Sequence, residues 1–267
     1  MPITLSGLIY YPIKSCSGIQ VTRSRVEEMG LESDRRMMVV TPEGKFLTQR
    51  EHHKLALVKP VLNGQTLSLS APGMEEISLS IMQEGVVNLV SIWKSSGVEA
   101  IDQGDLAARW FSEWLNASVR LVHLAKGYRR KVSQEYAVTP NDHTGFADGY
   151  PILIATEASL ADLNARMEQS IPMDRFRPNL ILAGSTAFEE DEWNRIFIGD
   201  IELAVVKPCA RCVITTIDKQ TLEVSREPLK TLSTFRRKPR GVMFGQNAIP
   251  LVDGWLEVGM AVQISMK

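Results

Sequence analysis

Cysteine is scarce in this chain, with three residues in 267. An odd, low count excludes a disulfide framework and points to a reducing compartment, the cytoplasm. No apolar stretch approaches the ~20 residues that span a bilayer. The start, MPITLSGLIYYPIKSC, has no basic segment followed by a long apolar run. It reads as a strand rather than a signal peptide. Charge of one sign is missing too: the net charge is −1, so no overall field recruits nucleic acid or an acidic membrane, and charge-driven binding must be local. Neither an internal repeat nor a low-complexity linker interrupts the chain. What remains is an ordinary globular composition, long enough for one large domain or two smaller ones sharing an interface.

The pattern along the chain is β-rich. Short apolar or alternating runs at 7–13, 37–41, 55–62, 66–70, 76–82 and 86–93 are separated by Glu43-Gly44, Asn63-Gly64, Pro72-Gly73 and Glu84-Gly85. Such spacing suggests a barrel or sandwich, and TLSLS after Asn63-Gly64 signals a hairpin. In DLAARWFSEWLN, Ala107, Trp110, Phe111 and Trp114 recur at helical spacing, with Asp105 the candidate N-cap. We read this stripe as core. A second helix is expected from Thr156 or Ser159 to Met167. Ser159 and Asp162 fit a capping box, and Leu160, Leu163 and Met167 share a face. Strands are expected again at 118–124, 180–183, 196–198, 202–206, 213–217 and 256–265, with a tight turn at Gly199-Asp200 and a short helix opened by Pro228. The expected boundary near 115–125 gives a β-rich N-terminal part, 1–118, and a second domain, 119–267.

Two of the three cysteines share one stretch, KPCARCVITTID, as Cys209 and Cys212. A thioredoxin-like pair needs a helix after it, and the β-branched residues that follow favour a strand. Tetrahedral zinc wants four ligands, and Cys16 and the four histidines stand at no partner spacing. An all-cysteine iron–sulfur cluster wants four thiolates. Two readings stay open: one thiolate completing a metal held by a non-protein ligand, or a buried structural cysteine beside Arg211.

Basic and small polar groups also punctuate the strands: Lys14-Ser15, Asp34-Arg35-Arg36, Gln49-Arg50, Arg129-Arg130, Arg175, Arg177, Asn179 and Arg211. Each alone reads as a solvated surface charge. Converging, they would form an anion site, since guanidinium forks suit phosphate and planar polar rings.

Taken together, YPIKSCSGI, DRRMMVV, FLTQR, FADGYPILIATEASLADLN, FRPNLIL, DEWNRIFIGDIEL, KPCARCVITTID, EPLKTLSTFRR and FGQN resemble the MOSC-domain proteins. The nearest groups are the amidoxime-reducing components and their bacterial relatives. The resemblance runs in order from residue 8 nearly to the end. It implies a mixed, β-rich fold: a MOSC β-barrel with flanking helices plus an N-terminal β-rich MOSC subdomain. It also implies a molybdenum cofactor, Mo-molybdopterin, between the two. Carried over by position, Cys212 is the molybdenum ligand and catalytic centre, and Cys209 is not a ligand. Lys14, Ser15, Arg35, Arg177 and Asn179 hold the pterin and its phosphate. Asp148, Gly149 and Tyr150 belong to a cofactor-contacting segment whose side chains differ from those of the mitochondrial proteins. Arg130, with Arg129, lies in a basic loop near the cofactor. Arg211 would help hold Cys212 as a thiolate. Met37 stands where relatives often carry an aromatic, a packing difference.

The implied activity is reduction of N-hydroxylated compounds (hydroxylamines, amidoximes, N-hydroxylated base analogues), a detoxification chemistry. The three cysteines leave none for a fused ferredoxin domain, and neither a mitochondrial targeting segment nor an anchor is expected. Electrons are therefore expected from a separate ferredoxin, flavin reductase or cytochrome-b5-like protein. His143 is considered as a proton donor, with a surface-loop histidine the preferred reading. Two rivals stand beside this one: a molybdenum-cofactor carrier or sulfur-transfer module without turnover, and a non-enzymatic β-rich binding protein with structural cysteines.

Overall fold

A computed structural model describes residues 2–267. Its centre is a closed β-barrel. In ring order the strands are Thr4–Tyr10, Leu180–Ala183, Ile152–Thr156, Gly241–Pro250, Ile201–Arg211, Trp193–Ile198 and Val262–Met266. Backbone hydrogen bonds from Leu5 N to Met260 O (3.0 Å) and from Val262 N to Ile3 O (2.9 Å) join the last member back to the first. Closure removes both sheet edges. Leu5, Leu8, Ile154, Leu182, Trp193 and Ile196 fill the interior. The one parallel pair, Ile152–Thr156 with Leu180–Ala183, needs a crossover, which helix α2 (Glu157–Ala165) begins.

The N-terminal part packs on one side of this barrel. A sheet runs in the order Met37–Val40, Arg120–Leu124, Ser95–Asp102, Val87–Ile92. A meander of Lys59–Asn63, Thr66–Ser70 and Ile77–Ser80 lies beside it. Helix α1 (Asp105–Leu115) buries Ala107, Trp110 and Phe111 with Leu67, Leu69 and Met37, so the tryptophan stripe is core. The first strand belongs to the barrel, and Arg120–Leu124 is paired on both sides by N-terminal strands.

Several local expectations are corrected. The run 55–62 divides into a 3-10 turn, His53–Leu57, and a strand from Lys59. Likewise, 256–265 splits into Gly254–Glu257 and Val262–Met266. Gly104, not Asp105, is the N-cap of α1, and its N–H donates to Asp102 Oδ1 (2.7 Å). Thr156 caps α2, accepting from Ser159 N (3.1 Å), because the Ser159 hydroxyl is committed to Glu190. Residues 213–217 form no strand. Val213–Thr216 is a 3-10 turn in which the hydroxyls of Thr215 and Thr216 donate back to the carbonyls of Cys212 and Val213. Beyond an isolated bridge from Ile217 to Val224, no neighbouring strand pairs this stretch, and its β-branched residues have nothing to hold them extended. Helix α3 (Leu229–Phe235) follows Pro228 as expected.

Candidate functional site

The chain forms a cavity of about 330 Å³ where six separated segments meet. They are residues 14–15, 35, 49–50, the 147–150 loop, 176–179, and the end of the strand Ile201–Arg211 with the turn beyond it. That volume is within the range of small-molecule sites. Of the residues expected at a site, Cys212, Lys14, Ser15, Arg35, Asp148, Gly149, Tyr150, Arg177, Asn179 and Arg211 line this one cavity. Arg130 stands behind its wall. It is buried and donates to the carbonyls of Gly145 and Ala147, shaping the FADGY loop from the back.

Local backbone geometry puts these groups in place. Ser15, Arg35 and Arg177 all have left-handed φ, at 70°, 47° and 54°. This conformation is uncommon and costly for side-chain-bearing residues, and it concentrates at functional sites. The strand Ile201–Arg211 carries one extra residue against Gly241–Pro250 between Val205 and Lys207. The partner carries the compensating extra residue opposite Pro208–Ala210. Bulges re-aim side chains, and here they do so across Lys207–Arg211, on the cavity wall. Beyond the strand, buried Arg175 donates to Thr215 O (2.9 Å) and to Asp218 Oδ2 (3.2 Å), bracing the turn after Cys212.

The wall is cationic. Lys14, Arg35, Arg50, Arg177, Lys207 and Arg211 face one carboxylate, Asp148. Burial pushes Lys14 and Arg177 below their usual values. Burial also opposes the charge on Arg35, but the ion pair with Asp34 (2.6 Å), together with Tyr11 and Asp148, raises it. Asp148 faces the open cavity, its side chain 61% exposed. Desolvation by the surrounding site opposes the anion, but Lys14 in direct contact, with Arg50 and Arg35 nearby, holds the carboxyl well below the usual range. Tyr11 lies between two guanidiniums, Arg35 at 4.3 Å and Arg177 at 4.1 Å from its ring centroid. Asn179 spends its amide on Ile9 O, Leu153 N and Arg35 Nη1 (3.1, 3.1 and 3.0 Å), so it clamps two barrel strands and orients Arg35.

The two cysteines of KPCARC are free and meet different arginines. Arg211 Nη1 donates to Cys209 Sγ (2.9 Å), not to Cys212, because its other nitrogen, Nη2, is anchored on Phe176 O (2.7 Å). The group on Cys212 Sγ is Arg50, through Nη2 at 3.1 Å. Arg50 and Gln49 are cavity residues that stood in the sequence among the scattered polar groups and in FLTQR, with no role assigned. Nothing local links them to a thiol 162 positions away. Lys207 and Asn247 are further lining residues. KPCARC and FGQN contain them without marking them. His143 is neither a surface histidine nor a cavity residue: it is buried, with Nδ1 against Asn141 O and Nε2 against Arg129.

Comparison with known proteins agrees in order and extent. Residues 2–118 match the MOSC N-terminal beta barrel domain, and 141–263 match the MOSC domain. The chain is 36% identical to human mitochondrial amidoxime-reducing component 1 over 279 residues, covering 98% of this chain and 82% of that protein. It is 39% identical to rat mitochondrial amidoxime reducing component 2, covering 87% and 72%. Identity at this level across nearly the whole chain, with both domains present in order, establishes descent: the chain belongs to the MOSC-domain family that contains the amidoxime-reducing components.

Proposed function

We propose that this protein is a molybdenum-cofactor-dependent reductase of N-hydroxylated compounds, hydroxylamines, amidoximes or N-hydroxylated base analogues. A separate ferredoxin, flavin reductase or cytochrome-b5-like protein supplies its electrons. The cofactor lies between the N-terminal module, 1–118, and the MOSC domain, 119–267. The free thiols suit a reducing compartment such as the cytoplasm. One observation carries the reading: the Cys212 thiol stands in a cavity lined by six cationic side chains and one carboxylate.

The residues fit such a group. Among the described residues, no three or more His, Cys, Asp or Glu side chains cluster as metal ligands. A metal at Cys212 would therefore take its other ligands from a non-protein group. The excess of cations suits an anionic group, and Arg211 Nε is buried there without a partner. Cys212 would supply the thiolate ligand. Lys14, Ser15, Arg35 and Arg177 would hold the pterin and its phosphate, with Asn179 orienting Arg35. The Asp148–Tyr150 segment would give backbone contacts, and Arg130 would hold that segment in shape. The bound cofactor supplies the two-electron chemistry that cleaves the N–O bond, consuming two protons and releasing water. The buried arginines and left-handed turns contribute preorganisation: their charges are aimed before any ligand arrives.

The test is elemental analysis of the wild type beside Cys212→Ser, with pterin fluorescence after acid release, then turnover of an amidoxime with a reduced dye. The proposal expects near-stoichiometric molybdenum, pterin and turnover in the wild type, lost in Cys212→Ser. Molybdenum without turnover would leave a cofactor carrier. Zinc, or no metal despite ample molybdate, would return KPCARC to a structural role.

A further inference from the structure

We infer that Arg50 is the positioning residue of the Cys212 sulfur, and that Trp93 is the platform that aims it. The inference rests on the reading of Cys212 as the metal thiolate. Arg50 is fixed at its base: Thr48 Oγ1 accepts from Arg50 N (3.1 Å), and the neighbouring Gln49 amide donates to Ser15 O. Its guanidinium reaches Cys212 Sγ at 3.1 Å and lies over the Trp93 ring, 4.6 Å from the centroid. It thus bonds to sulfur and stacks on indole, while Asp148, the nearby carboxylate, forms its direct ion pair with Lys14 instead. The distinction has a consequence. A carboxylate partner would compete for the guanidinium donors and cancel its charge at the sulfur. An aromatic face positions a cation while leaving both intact.

Trp93 is built for this task at a local cost. It is the first residue of the two-residue turn joining Val87–Ile92 to Ser95–Asp102, and its φ is 53°. Turns of this kind favour glycine or asparagine there. A bulky residue in that region is an outlier that persists where the surroundings hold it. Phe46 packs edge-on against the indole at 4.8 Å. Lys14 Nζ approaches the same ring at 5.5 Å. One side chain thereby fixes the cation on Cys212 and touches the lysine paired with Asp148.

A charged donor on a ligating sulfur withdraws electron density and favours the electron-rich, reduced metal. Arg50 should therefore raise the midpoint potential of the bound molybdenum. The experiment is redox titration of the holoprotein as wild type, Arg50→Gln, Arg50→Lys, Trp93→Ala and Trp93→Phe, each with its molybdenum content. The inference expects a lower potential in Arg50→Gln, a smaller fall in Arg50→Lys, and a fall in Trp93→Ala that Trp93→Phe largely restores. Adding Arg50→Gln to Trp93→Ala should add little. An unmoved potential in metal-bound Arg50→Gln overturns the role of Arg50, and an unmoved Trp93→Ala overturns the platform. Should Arg50→Gln hold no metal, Trp93→Ala, which keeps the guanidinium, decides: an unmoved potential there overturns the inference. A wild type without molybdenum sinks the proposed function itself, a different failure from a loaded protein whose potential ignores Arg50.

Discussion

Cys209 lies near the end of the strand Ile201–Arg211 and Cys212 just beyond it, yet they meet different arginines across the cavity. The difference predicts different losses. Cys212→Ser should abolish reduction and strip or alter the molybdenum, whereas Cys209→Ser should retain much of both, as metal analysis and dye-linked turnover would show. The third cysteine carries a pH prediction. Burial pushes the Cys16 thiol up from 9.0 to about 12. Burial also pushes the Tyr11 phenol from 10.0 to about 12, against the lowering effect of Arg177 and Arg35. Both groups stay neutral in the folded protein while the unfolded chain ionises. Their contribution is thus fully present below pH 9 and is lost as pH rises toward 12, at about 1.4 kcal/mol per pH unit for each group. Denaturant titrations at pH 8 and 11 should show the fall, and Cys16→Ala should show less of it. The motif made Cys212 legible as a candidate. The partner of its sulfur was not legible, since a hydrogen bond between residues 50 and 212 has no local signature.

The site depends on a strand that propensity hides. Gly241–Pro250 contains two glycines and a proline, residues that argue against a strand when read alone. It is a strand because neighbours pair it on both sides. Gly245, within its bulged stretch, has φ 75°, and a Cβ there would meet Ile154 O at 2.6 Å. Gly245→Ala should cost about 1–3 kcal/mol in thermal or chemical unfolding. It should also weaken cofactor retention, because the Lys207–Arg211 wall is registered against this segment. The opposite error, a strand expected at 213–217, has the same origin: propensity reports fitness for a pleated surface, and the partner strand decides whether that surface exists. The helices α1 and α2 were legible because their apolar period is carried locally. Their caps were less so, because Ser159 is drawn away by Glu190, 31 positions distant.

For the whole molecule, barrel closure brings the two ends of the chain together. Removing residues 259–267 would take away Val262–Met266 and the bonds to Ile3 and Leu5, leaving two unpaired edges over the core residues Trp193 and Ile196. That truncation should lose cooperative thermal unfolding. The same convergence turns a net charge of −1 into a local anion site. Pyrophosphate should raise the melting temperature of cofactor-free protein, the gain growing with the logarithm of its concentration above its Kd. The gain should weaken with added salt and be smaller in Arg177→Ala.

By itself the sequence determined the β-rich class, the core stripe of α1, the family and the identity of Cys212 as the residue to watch. These rest on period, composition and motif, which are properties of neighbouring residues. Only the tertiary structure decided that Arg50 rather than Arg211 meets the Cys212 sulfur, that His143 stays out of the cavity, and that Arg130 works from behind its wall. Those outcomes depend on distances between segments up to 162 residues apart, and packing and strand register set such distances.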